Sequence, residues 1–101
     1  MNLGNLGALH RNAGQLAQAE KYFRKAITIE EGLLGKKHPE LALSLNNLAV
    51  VLGARGDRKG AVKAYRRALA IFSASVGKKH PHYLGARRNL ERIERDKGGA
   101  R

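Results

Sequence analysis

Apolar positions recur every three or four residues along nearly the whole chain, which is the spacing of one helix face. Leu3, Leu6 and Leu9 begin the pattern and predict a first helix over 3–12. Asn12-Ala13-Gly14 reads as its stop, with Gly14 as the left-handed residue after a helix end. A second helix, 15–33, puts Ala19, Phe23, Ala26, Ile27 and Glu30 on one side. Glu20, Lys21, Arg24 and Lys25 line the other side. Gly35 ends this helix, and Pro39 suits the first position of the next, where a missing N–H costs nothing. That third helix, 39–54, carries a broad stripe of Leu41, Leu45, Leu48, Val51 and Leu52. Arg55-Gly56-Asp57 is a tight turn, and Asp57 is placed to cap the helix that follows. The fourth helix, 58–75, runs through Ala61, Ala64, Tyr65, Ala68, Leu69 and Phe72. Pro81 opens a fifth, 81–96, and Asp96 to Arg101 reads as a frayed polar tail. No segment alternates with period two, so no strand is expected.

The landmarks repeat. Gly35-Lys36-Lys37-His38-Pro39 returns 42 residues later as Gly77-Lys78-Lys79-His80-Pro81. Asn47-Leu48 has an earlier copy in Asn5-Leu6 and a later one in Asn89-Leu90. Gly14, Ala19, Phe23, Ala26 and Ile29 are matched by Gly56, Ala61, Tyr65, Ala68 and Ile71. A fixed period of roughly 20–50 residues marks a stacked repeat array, in which each unit covers its neighbour's apolar face. His38 and His80 recur with the repeat, which argues for a role in the loop such as helix capping.

Composition narrows the class. The chain has 101 residues, enough for one small domain, and 43% apolar content fits a thin core. It contains no cysteine, so neither disulfides nor thiolate metal sites are available. The longest apolar-or-glycine run, Leu48 to Ala54, is far short of the ~20 residues of a membrane span. The first ten residues lack the basic and apolar regions of a signal peptide, so a cytoplasmic location without a membrane partner is expected. The net charge of +12, from 20 basic and 8 acidic residues, is the strongest compositional feature. It predicts attraction to an acidic partner, whether protein, nucleic acid or an anionic surface.

Catalytic and metal chemistry find little support. Ser44, Ser73 and Ser75 have no matched His/Asp spacing, and Glu30, Glu31 and Glu40 read as surface residues near helix ends. His80 and His82 are two apart and cannot act as paired helical ligands. Gly77-Lys78-Lys79 lacks the earlier glycine and the following hydroxyl of a phosphate loop. No enzyme activity, cofactor or metal is expected. The basic residues are uneven, with Asp57 the one acid between Leu41 and Leu90. Lys59, Lys63, Arg66 and Arg67 share the outer face of the fourth helix, and Arg87, Arg88, Arg92 and Arg95 form a stripe on the fifth. Such stripes suit nucleic acid, although aromatics are 5% of the chain and only Tyr22 and Tyr83 are candidates for exposed stacking.

Taken together, these positions resemble the tetratricopeptide repeat family. Leu48-Ala49, Gly56, Ala61, Tyr65 and Ala68 follow that family's small-and-large pattern, and Leu6-Gly7, Gly14, Ala19, Phe23 and Ala26 repeat it. The usual period is about 34 residues. The longer period here, the LNNLA run at 45–49 and the His-Pro loop resemble the variant found in kinesin light chains and many bacterial arrays. The resemblance implies an all-α fold of antiparallel helix-turn-helix repeats stacked as an α-solenoid, about two and a half units in five helices. Repeat one would be 1–38, repeat two 39–80, and a C-terminal solvating helix 81–97 would complete one domain, with 98–101 as a flexible tail. Departures fall in two places: His10 and Leu52 replace an aromatic, while Glu91 and Glu94 put charge on the last helix, as a terminal solvating helix requires. The first helix starts late relative to Pro39-Glu40, so its edge is expected to be covered by a second copy or by a preceding repeat of a longer array.

The resemblance further implies a scaffold that binds a peptide or protein segment, acidic in this case, in a concave groove. The alternatives are a basic nucleic-acid-associated module and a spacer piece of a longer array. By alignment, groove-facing positions include Ala8, Arg11, Asn46, Val50, Arg88, Arg92 and Arg95. Asn5, Asn47 and Asn89 recur beside the core leucine, where an amide either holds a peptide backbone or bridges successive helices. Gly4 and Ala8 stand where chaperone-binding members carry the Lys and Asn of a carboxylate clamp.

Overall fold

A computed structural model describes residues 13–99, with side chains from 14 to 95. The described chain forms four helices: α1 (Ala13–Leu34), α2 (Pro39–Ala54), α3 (Arg58–Ser75) and α4 (Pro81–Gly99). There is no strand among the described residues. The helix expected over 3–12 lies outside them. Each helix packs on the next, and α2 also reaches α4. Loops this short turn consecutive helices back on one another.

The loops are built from the residues the repeat conserves within the chain. Gly35, Gly56 and Gly77 take φ of +88°, +90° and +93°, a left-handed conformation that a Cβ would oppose. At the second loop, Asp57 N donates to the Leu52 carbonyl at 2.8 Å, closing the end of α2. Asp57 then caps α3, its Oδ1 accepting from Gly60 N at 2.9 Å. The histidines do act as caps: His38 Nδ1 accepts from Glu40 N at 3.1 Å, and His80 Nδ1 accepts from His82 N at 3.0 Å. In each case a proline opens the helix.

Three expectations need correction. Gly14 is not a left-handed stop, because it is the second residue of α1. Its repeat counterpart Gly56 is followed by the capping residue Asp57, whereas Gly14 is followed by Gln15, a good helix former. At the other end, α4 continues through Asp96 to Gly99 where a frayed tail was expected. A helical glycine costs about 1 kcal/mol without ending a helix that its preceding turns already support. Tyr83, expected to be exposed, is 9% exposed. It occupies the register of Leu41 one repeat earlier and packs into the same seam.

The core is one continuous seam between the helices. Phe23 of α1, Leu41 and Val51 of α2 and Phe72 of α3 are its fully buried large side chains. Ala19, Ala42, Ala49, Ala61 and Ala68 have no exposed surface, so helices approach closely at those points. Outside the seam, Glu20 accepts from Arg24 at 2.8 Å and from Arg55 at 2.7 Å, tying α1 to the loop after α2. Arg67 pairs with Glu31 across α3 and α1, and Arg66 pairs with Glu94 across α3 and α4.

Candidate functional site

The α2–α4 side carries a groove made by two helix stripes. On α2, Leu43, Asn46, Val50 and Gly53 recur at three and four spacing, and α4 repeats the device with Gly85, Asn89, Arg92 and Ile93. Two adjoining hollows result. One, of about 200 Å³, is lined by Asn46, Arg88, Asn89 and Arg92 with Phe72 and His82. The other, of about 300 Å³, is lined by Val50, Gly53, Tyr65, Asn89, Arg92 and Ile93. Asn89 and Arg92 belong to both, so the groove is continuous. These volumes lie at or below the lower limit for a small-molecule pocket, and suit single side chains of a longer segment.

The structure therefore brings together Asn46, Val50, Arg88, Asn89 and Arg92 of the residues singled out from sequence. It does not bring in Asn47, which is half-buried and lines neither hollow, although its repeat counterpart Asn89 lines both, because the hollows lie between α2 and α4 and the two asparagines sit on opposite sides of that gap's register. Arg95 continues the Arg92 stripe but is exposed beyond the groove's end. Asn5 and Arg11 lie outside the described residues. The sequence reading missed Leu43, Gly53, His82 and Tyr65. Stepping three or four residues along α2 from Asn46 and Val50 would have found the first two. Tyr65 was assigned wholly to the core, and only the packing shows that it also lines the groove.

The groove is basic and contains an unsatisfied amide. Neither Arg88 nor Arg92 pairs with a carboxylate among the described residues, whereas Arg87, on the adjacent face of α4, bonds Glu91 at 3.2 Å. Asn46 Oδ1 is buried without a hydrogen-bond partner. Such an atom costs free energy until something pairs with it. Burial pushes the Tyr65 phenol up to about 12, with the positive charge of Arg92 acting in the opposite direction. His82 stacks against Phe72 at 5.7 Å and against His80 at 4.7 Å, placing an imidazole at the groove's mouth. No three His, Asp or Glu side chains converge among the described residues. Ser75 Oγ, one of the serines weighed above, donates to the Ile71 carbonyl at 2.7 Å within its own helix.

No described helix is long and apolar enough to cross a membrane. The tetratricopeptide repeat family model matches residues 1–74, and no curated protein matches the chain. The matched span includes both copies of the alanine, aromatic and glycine pattern, and Ala19, Ala49, Ala61 and Ala68 of that pattern are fully buried between the described helices, while Ala26 is half-buried. On that match and that packing, the chain belongs to the tetratricopeptide repeat family.

Proposed function

We propose that this protein is a non-enzymatic scaffold that receives an extended acidic segment of a partner protein along the α2–α4 groove. Tetratricopeptide repeats generally mediate protein–protein interaction. The observation that carries the finer reading is the buried, unpartnered Asn46 Oδ1 in a hollow shared with Arg88 and Arg92. Turned outward into the hollow that Asn46 lines, this oxygen would accept a peptide backbone N–H, and a carboxylate is the partner both guanidinium groups lack. An extended segment offers both at intervals of a few ångströms. In this reading residues 3–12 add a fifth helix, the five stack as a solenoid, and the α2–α4 side is its concave face.

The test is calorimetric titration with a Glu/Asp-rich peptide. Reversal of both charges in Arg88→Glu/Arg92→Glu should weaken binding at least about a hundredfold, since each charge-assisted hydrogen bond is worth about 1.5–3 kcal/mol. Helicity should not change, because both side chains are exposed. Undiminished affinity in a folded double variant would sink the groove assignment.

A further inference from the structure

A second surface lies on α3, and no residue lining it lines the groove. It emerges from two clefts one repeat apart. Beside α1, Ala17, Glu20, Lys21 and Arg24 meet Arg55, and Glu20 accepts from both arginines. The equivalent cleft beside α3 has Lys59 in place of Ala17, Val62 in place of Glu20, Lys63 in place of Lys21 and Arg66 in place of Arg24. The central carboxylate has been replaced by an aliphatic side chain and a further lysine has been added. Glu94 is the remaining acid of this cleft, and it is bonded to Arg66 at 2.9 Å. Lys59 and Lys63 have no carboxylate partner among the described residues.

Lys63 also rims the neighbouring cleft between α1 and α3, together with Arg24 and Arg67. The two clefts thus flank one cationic ridge of Lys59, Lys63, Arg66 and Arg67, all exposed. The eight helical steps from Lys59 to Arg67 make the ridge about 12 Å long. One strand of a duplex carries a charge about every 3.4 Å of axis, so the ridge matches three to four phosphates. The pairs Arg66–Glu94 and Arg67–Glu31 are surface ion pairs, which a phosphate can displace at little cost. The N-terminus of α3 takes no part, because Asp57 already caps it.

We propose that this ridge binds the phosphate backbone of a nucleic-acid duplex. What favours a duplex is what the ridge lacks. The exposed large apolar side chains of the described chain, Tyr22, Ile29, Leu33, Leu34 and Leu84, sit on α1 and α4, none on α3. The ridge has no aromatic side chain to stack an unpaired base, and nothing on it can enter a lipid layer or form the apolar centre of a protein interface. A ligand read by charge and spacing alone remains, and binding is therefore independent of sequence.

The experiment is fluorescence anisotropy of a short mixed-sequence DNA duplex over a salt series. Four phosphate contacts give a log–log slope of about −3.6, so affinity should fall about a hundredfold between ~50 and ~200 mM salt. Lys59→Gln/Lys63→Gln removes two contacts and should halve the slope, leaving a fall of only about tenfold, with helicity unchanged. Lys59→Gln alone should shift the slope by about 0.9. Arg88→Gln/Arg92→Gln, on the groove side, should keep the full slope. An unchanged slope in the lysine variants would overturn the proposal. So would an equal loss in the arginine variant, or tighter binding to phosphatidylserine vesicles or polyglutamate than to the duplex.

Discussion

α2 and α4 begin alike and diverge after one turn. Each follows a Gly-Lys-Lys-His-Pro loop, each has a histidine cap, and each buries a leucine at the same register, Leu48 in one and Leu90 in the other. α2 packs against α1, α3 and α4, whereas α4 packs mainly against α3, with a smaller contact to α2. The difference is written position by position. Leu45, Ala49 and Leu52 are buried in α2, and their counterparts Arg87, Glu91 and Glu94 are exposed in α4. The start signal and the inner face belong to the repeat. The outer face records whether another helix lies against it, because an apolar face is stable only when it is covered.

The strongest test moves one helix's outer face onto the other. Leu45→Arg should cost about 4 kcal/mol or more, because it buries an unpaired charge between α1 and α3, and urea unfolding would show loss of a cooperative transition. The mirror change, Arg87→Leu, should shift stability by no more than about 0.5 kcal/mol, since the position is exposed. Similar losses for the two would remove the distinction between the helices. Next in size is the close approach on α2's inner side. Ala61 is fully buried, and Ala61→Leu should overpack it at a cost of about 1–3 kcal/mol, read as a lower urea midpoint.

Proton linkage sharpens the comparison further. Tyr65, at the α3–α4 contact, has its phenol raised to about 12 from an ordinary value of 10.0. A raised value means its contribution is fully present below about pH 10 and is lost as pH rises towards about 12. Thermal melts should therefore weaken across that interval, and Tyr65→Phe should flatten the dependence. On the other side of α2, Glu20 is held below its ordinary carboxyl range by its hydrogen bond to Arg24, with Arg55 adding to it. A lowered value contributes stability that is present above the ordinary range and lost as pH falls through the folded value. Glu20→Gln should cost about 0.5–1 kcal/mol near neutrality, and the difference from the unaltered protein should vanish in acid.

Much of this architecture can be read along the chain. The bounds of α2 and α3 follow from Pro39, Gly56, Asp57 and the length of each apolar stripe, because caps and glycines act within a few residues. The bounds of α1 and α4 were less legible. Gly14 looked like a breaker and Asp96 to Arg101 like a frayed tail, yet a glycine breaks a helix only where the following residues supply an alternative hydrogen-bonding arrangement.

The groove was half legible. Asn46, Val50, Arg88, Asn89 and Arg92 follow from helical spacing combined with the repeat offset, while Asn47 lines neither hollow although its counterpart Asn89 lines both. By itself the sequence determined the helices, their caps, the repeat and the charge, because each depends on neighbours within a turn or on an offset visible in one dimension. Only tertiary structure decided that Asn46 Oδ1 has no partner, that Tyr65 reaches the groove, and that Lys59 and Lys63 face a cleft without Glu20's counterpart. Those facts depend on which side chains of other helices fill the remaining space, and packing between helices is set by the whole assembly of faces at once.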